Sequence, residues 1–314
     1  MKKNKILLDE LKLVEALIKK DLSKEKTIVG LYKYIFKSNG KKIRARLNLI
    51  ASSKTKKNNR IKLASVIELL HTATLVHDDV VDNSPTRRGI KSVNNLWTNS
   101  HGVLIGDYIY SKAFMYMVDI GNKKILKELA NATNDISQGE LIQLDAIKNT
   151  NITLNKLQKI SYFKTGRLFE AAARTGAINS NENKLFISNI SECAKNLGIL
   201  FQIKDDLLDY SHDKKIGKPI FQDIKEGKVT YPFYYAYKNA NTKQKKYLKE
   251  LLGIKRKMSK KDIDLIKSLD GIQKTKALAN QYHNKSIMFA KKIKNIYIRQ
   301  EMIELANIAL NRDI

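Results

Sequence analysis

The stretch IKLASVIELLHTATLVHDDVVDNSPTRRG, residues 61 to 89, decides the fold. From Ile61 to His77 it is apolar on nearly every face, with Glu68 and His71 the main exceptions, which is the pattern of a helix enclosed by other helices. It then ends in a knot of acid and base, broken by Asn83, Ser84, Pro85 and Gly89. Residues four apart on a helix stack one turn above each other, so Asp78 and Asp82 share a face and Asp79 lies about 100° away. Two carboxylates converging at the electronegative end of a helix repel each other and oppose its dipole unless a cation intervenes.

Helical spacing continues on both sides of this stretch. Leu7, Leu8, Leu11, Val14, Leu17 and Ile18 form one stripe of a first helix near 5–20, and a second helix covers about 24–37. A third follows the turn SNGKK, with Lys41, Lys42 and Arg44 crowding its start, the wrong end for cations unless they face an anion. Further helices fit 100–118, 122–148, 153–178 and 184–210, and the chain from Val229 reads as several more amphipathic helices. With 3 prolines and 14 glycines in 314 residues, and 43% of residues hydrophobic, the expectation is an all-α protein with a sizeable core. No repeat, linker or boundary divides it, so 1–314 is read as a single domain.

The acidic arrangement returns once, in FQIKDDLLDYSHD, where Asp205 and Asp209 share a face and Asp206 flanks them. Hard divalent ions explain both clusters: Mg²⁺ prefers oxygen ligands and is held by one or two carboxylates plus phosphate oxygens, so a metal-bridged diphosphate suits the pair. Cations stand nearby in sequence. Arg87 and Arg88 follow the first cluster and offer forked donors for phosphate. Lys41, Lys42 and Arg44 meet the free N–H groups of a helix start. Lys164 and Thr165 in YFKTGRLFE, then Lys218 and Lys228 in a glycine-containing loop, add donors.

The net charge of +28, from 59 basic against 31 acidic residues, attracts anions, but the lysines are scattered and form no aromatic-interleaved patch of the kind that stacks on bases. A nucleic-acid binder also leaves two acidic clusters without a role, since they repel phosphate. Asp9, Glu10, Lys12 and Glu15 interrupt any signal-peptide core at the start, and no apolar run approaches the roughly 20 residues of a membrane span. The one cysteine, Cys193, excludes an internal disulfide. A cytoplasmic location is expected.

HDDVVDNSPTRRG paired with FQIKDDLLDYSHDKKIGKP, together with GKKIR and FKTGRLFEAA, resembles the trans-polyprenyl diphosphate synthase family, over about residues 38–232 and in the family's motif order. The resemblance implies the isoprenoid synthase fold, a bundle of long helices around a deep central cavity, usually homodimeric, with the two aspartate motifs facing each other across its mouth. It implies Mg²⁺, with Mn²⁺ as the alternative, held by Asp78, Asp82 and Asp205, while Asp79, Asp206 and Asp209 support. By the same likeness Arg87, Lys164, Thr165, Gln202, Lys218 and Lys228 hold the allylic diphosphate, for example farnesyl diphosphate. Lys41, Arg44, His71 and Arg88 hold isopentenyl diphosphate. Two positions depart from the pattern: Asn39 replaces a usual glycine, and Ala45 stands where a proline commonly follows Arg44.

The implied reaction is ionisation of the allylic diphosphate, attack by the isopentenyl double bond, and elimination. The helix 61–77 is a natural wall for the growing chain, and roughly 6 to 8 Å deeper than Asp78 it presents only Ala73 and Thr74. In relatives that stop at farnesyl or geranylgeranyl length, aromatics at these positions commonly close the pocket. Small side chains here predict a long product, hexaprenyl to nonaprenyl with octaprenyl first, for a quinone side chain. A basic surface suits peripheral contact with an anionic bilayer as the product leaves. The rival readings are a shorter-chain synthase, a terpene cyclase, which GKKIR and Arg88 argue against, and a non-catalytic subunit of a heteromeric synthase.

Overall fold

The expected periodicity becomes an all-α architecture in the computed structural model, which describes residues 2–20, 24–37, 40–210, 221–256 and 258–312. The first helices are α1 (Lys2–Lys19), α2 (Lys26–Ile35), α3 (Ile43–Ala51) and α4 (Lys57–Val81). A two-residue hairpin, β1 (Thr86–Arg87) and β2 (Ile90–Lys91), is the sole sheet among the described residues. The chain continues through α5 (Val93–Leu96), α6 (Asn99–Ile120), α7 (Lys123–Leu144), α8 (Leu154–Ser161), α9 (Arg167–Asn179) and α10 (Lys184–Leu208). It closes with α11 (Gln222–Lys225), α12 (Tyr231–Asn239), α13 (Thr242–Leu251), α14 (Lys260–Ser268), α15 (Gly271–Lys291) and α16 (Ile296–Leu310).

Two compact units emerge: Met1–Thr133 with Ala171–Ser191, and Asn134–Glu170 with Glu192–Ile314. In the first, α4 is the core, as its apolar faces predict: Leu63, Ala64, Val66, Ile67, Leu69, Leu70 and Ala73 are all fully buried. Each large aliphatic side chain so enclosed contributes about 1.5–3 kcal/mol. Helix α6 runs close along α4 because Gly102 and Gly106, one turn apart, have no side chain where they meet Val80 and His77; a Cβ at either would collide. Helix α1 ends on a buried cation: Lys112 Nζ donates to the carbonyls of Ile18 (3.3 Å) and Lys20 (2.5 Å), satisfying acceptors that a helix end leaves open.

In the second unit, the expected continuous helix over 153–178 is interrupted by a π-helical turn, Tyr162–Gly166. Periodicity does not reveal it; within it Gly166 lies so near α10 that a Cβ on Gly198 would stand 2.6 Å from the Gly166 Cα. Cys193 behaves as a small hydrophobe, with burial pushing its thiol up to about 12. Local caps set many helix starts; Asn241 with Gln244 and Ser259 with Asp262 form reciprocal capping boxes. No helix among the described residues is long and apolar enough to cross a membrane.

Candidate active site

In the first unit, α4 carries Asp78 and Asp79 in its last turn and ends on Asp82, whose N–H donates to the Asp78 carbonyl at 2.8 Å. Asp79 is buried, and its Oδ1 accepts from Arg87 Nε at 2.9 Å and Nη2 at 2.5 Å. Burial works against the Arg87 charge, but Asp79, with Asp78 and Asp82 beyond it, raises its pKa further. Asp78 and Asp82 are only half-buried. The pair sharing a face is thus accessible, while the aspartate set off from it is spent on orienting an arginine.

The hairpin after α4 aims the second arginine. Arg87 pairs with Ile90, leaving Arg88 and Gly89 as a two-residue turn with φ of 51° and 79°, the left-handed pattern that matches strand twist. A non-glycine residue held there costs on the order of 1–3 kcal/mol, a cost found at functional sites. The Arg88 guanidinium lies over Gly40, where a Cβ would stand 2.8 Å from Nη2. Arg44 Nη1 is 2.9 Å from His71 Nε2. Arginine only donates, so Nε2 accepts and the imidazole proton sits on Nδ1. Burial, then Arg44, Arg88 and Arg87, push the His71 pKa well below its ordinary value, so the ring is neutral. Lys41 is exposed, and Lys42 pairs with Glu15 of α1.

Two residues of this neighbourhood escaped the sequence reading. Glu68 is buried, with Oε1 accepting from Ala45 N at 3.0 Å next to Arg44; its interruption of an apolar helix was the available signal. Tyr110 stacks on His77 with ring centroids 6.1 Å apart, and burial followed by the Asp78 charge pushes its hydroxyl up to about 12. His77 itself is held by the Val103 carbonyl (3.2 Å) and Asp107 (3.4 Å). Below Asp78, Ala73 is fully buried and Thr74 half-buried, with its hydroxyl donating to the His71 carbonyl at 2.8 Å.

In the second unit the π-helical turn presents Lys164 and Thr165 side by side, a distortion that recurs at functional sites. Lys164 Nζ meets Glu140 Oε2 at 2.8 Å and also Gln143 Oε1. Thr165 Oγ1 donates to Gln202 Oε1 at 2.7 Å, Gln202 Nε2 to Asp206 Oδ1 at 2.9 Å, and Tyr231 N to Asp206 Oδ2 at 3.2 Å. This relay ties the lysine-threonine motif to the second aspartate cluster. Asp209 accepts from Gln222 N at 2.9 Å and Asp223 N at 3.3 Å, and Lys228 is buried against Glu226 at 2.7 Å. Lys218 lies outside the described residues.

Asp205 is half-buried and pairs with Arg312 at 2.6 Å; the guanidinium also stacks 4.1 Å over Phe201. Nothing in sequence signals an arginine 107 positions away. Asp223 was missed too, although it enlarges the acidic cluster. Burial first, then the Asp223 charge, raise both Asp206 and Asp209, the latter to about 8. That is the behaviour of carboxylates short of a counter-ion. The donors at both clusters are carboxylate oxygens, which suits a hard divalent cation. No three potential ligands converge among the described residues, so such an ion would complete its shell with water and diphosphate oxygens, as Mg²⁺ does.

The profile of the polyprenyl synthetase family matches residues 25–269. The chain belongs to this family. It is therefore a prenyltransferase of the all-α isoprenoid synthase fold. The polyprenyl synthetase relatives include octaprenyl diphosphate synthase of Escherichia coli (strain K12), 32% identical over 99% of this chain and 98% of its own. A decaprenyl diphosphate synthase from Rhodobacter capsulatus superposes with a TM-score of 0.91 at 31% identity, covering 98% of this chain and 97% of that one. A polyprenyl synthase from Caulobacter crescentus CB15, complexed with calcium and isoprenyl diphosphate, reaches 0.92 at 29% identity over 99% and 97%.

Proposed function

We propose that this polyprenyl synthetase is a long-chain trans-polyprenyl diphosphate synthase, octaprenyl first, which condenses isopentenyl diphosphate onto an allylic primer such as farnesyl diphosphate. The carrying observation is the small pair Ala73 and Thr74 about one turn below the accessible Asp78. Kinship with octaprenyl and decaprenyl synthases supports the same length. A quinone side chain is the proposed use of the product, and 1–314 is read as one catalytic domain.

Asp78, Asp82 and Asp205 are assigned to divalent ions, Mg²⁺ before Mn²⁺, and a bound ion would supply Lewis acidity at the departing diphosphate. Arg87, oriented by Asp79, and Lys164, Thr165, Gln202, Lys218 and Lys228 hold the allylic diphosphate and stabilise the charge that builds on it. Asp206 and Asp209 keep this set in place through the Thr165–Gln202 relay and the start of α11. Lys41, Arg44, His71 and Arg88 orient isopentenyl diphosphate, with His71 donating from Nδ1 rather than acting as a base. The released diphosphate takes the proton in the elimination.

A homodimer is part of the reading. Exposed Leu104, Met115 and Val118 on α6, 11 and 14 residues apart, form one apolar stripe suited to a second copy; a monomer by light scattering would remove this element. Product chromatography after incubation with labelled isopentenyl diphosphate, farnesyl diphosphate and Mg²⁺ tests the whole. Octaprenyl-range products are expected, with Thr74→Phe shortening them. Farnesyl or geranylgeranyl products from the unsubstituted protein would favour a short-chain synthase, and no turnover would favour a non-catalytic subunit.

A further inference from the structure

Burial pushes the carboxyl of one residue of α4, Glu68, upward, and the Ala45 N–H, followed by the charges of Arg44, Lys42 and Arg88, acts against that push. Glu68 is only 8% exposed, in a helix whose other core positions are almost all apolar. The start of α3 explains its presence. The residue before that helix, Lys42, has a left-handed φ of 45° and makes no side-chain cap, so the first N–H groups of α3 need an outside acceptor. Glu68 Oε1, reaching from α4, takes the Ala45 N–H at 3.0 Å. A proline at 45 has no N–H to give, so the alanine that sets this sequence apart is what makes the bond available. One turn further along α4, His71 meets Arg44, the residue immediately before Ala45.

We propose that Glu68 is a positioning residue for the isopentenyl diphosphate site: by accepting the Ala45 N–H it fixes the first turn of α3, and with it the neighbouring Arg44 that meets His71. A helix start whose N–H is held by a buried acceptor keeps the side chains of that turn, Arg44 among them, in place before the ligand's phosphates arrive. Glu68 itself touches neither substrate nor metal. The inference rests on the assignment of Arg44, His71 and Arg88 to isopentenyl diphosphate.

Glu68→Gln and Glu68→Ala test it, by steady-state kinetics in both substrates and by calorimetric titration with isopentenyl diphosphate alone. Glu68→Gln should raise the isopentenyl KM and Kd about tenfold, and Glu68→Ala more, with the allylic KM within about twofold of the unsubstituted value. The glutamine falls between because its amide oxygen still accepts from Ala45 while its charge is gone. Should Glu68→Ala fail to fold, the near-isosteric glutamine carries the test. An isopentenyl KM that stays within about twofold, falls, or rises in step with the allylic KM would overturn the proposal alone. An unsubstituted protein that neither binds nor incorporates isopentenyl diphosphate would sink the proposed function with it.

Discussion

Single residues in the two aspartate motifs do unlike jobs, and burial separates them. Asp79 and Asp206 are enclosed and spend their oxygens on Arg87, Gln202 and the Tyr231 N–H, whereas Asp78, Asp82 and Asp205 keep part of their surface. Asp78→Ala should therefore lower turnover by on the order of 10²- to 10³-fold while circular dichroism stays unchanged; retained turnover would remove the metal assignment. His71 gives a pH signature. Its folded pKa lies well below that of a free imidazole, so below about pH 6.5 the unfolded chain binds a proton that the folded one refuses. The His71 contribution to stability should fall between pH 7 and 5, so in thermal melts the parent should lose stability relative to His71→Gln over that window.

At the scale of elements, helix ends and close approaches decide the geometry. The motif aspartates are legible because they end apolar helices at a spacing of four. The π-helical turn that presents Lys164 and Thr165 is not, because helical periodicity is the same on both sides of it; it is seen only where Gly166 packs against Gly198 of α10. The start of α14 is a local device that can be measured separately. Burial would raise the Asp262 pKa, but Arg256 at 2.7 Å, Ser259 N at 2.7 Å and the Tyr247 hydroxyl hold it below the usual carboxylate range. Because the folded value is depressed, this stabilisation is present above about pH 4 and fades as pH falls further. Asp262→Asn should cost about 1.5–3 kcal/mol at neutral pH, read from denaturant unfolding, and the gap from the parent should narrow in acid.

Across the whole molecule the charge is the dominant property. With +28 on 314 residues, co-sedimentation with vesicles rich in anionic lipid should be measurable at low salt and weaken as ionic strength rises. Binding indifferent to salt would dismiss a membrane hand-over driven by charge.

Sequence by itself determined the all-α class and the family motifs. Those signals are local: an apolar periodicity, a spacing of four, a glycine-bearing turn. Tertiary structure alone decided which aspartate is internal, that Arg312 reaches Asp205, that Asp223 joins the second cluster, and that Glu68 holds the start of α3. These pairings join residues from 14 to 107 positions apart. Only the packing of helices against one another brings such groups within hydrogen-bonding reach, and burial then sets what each can do.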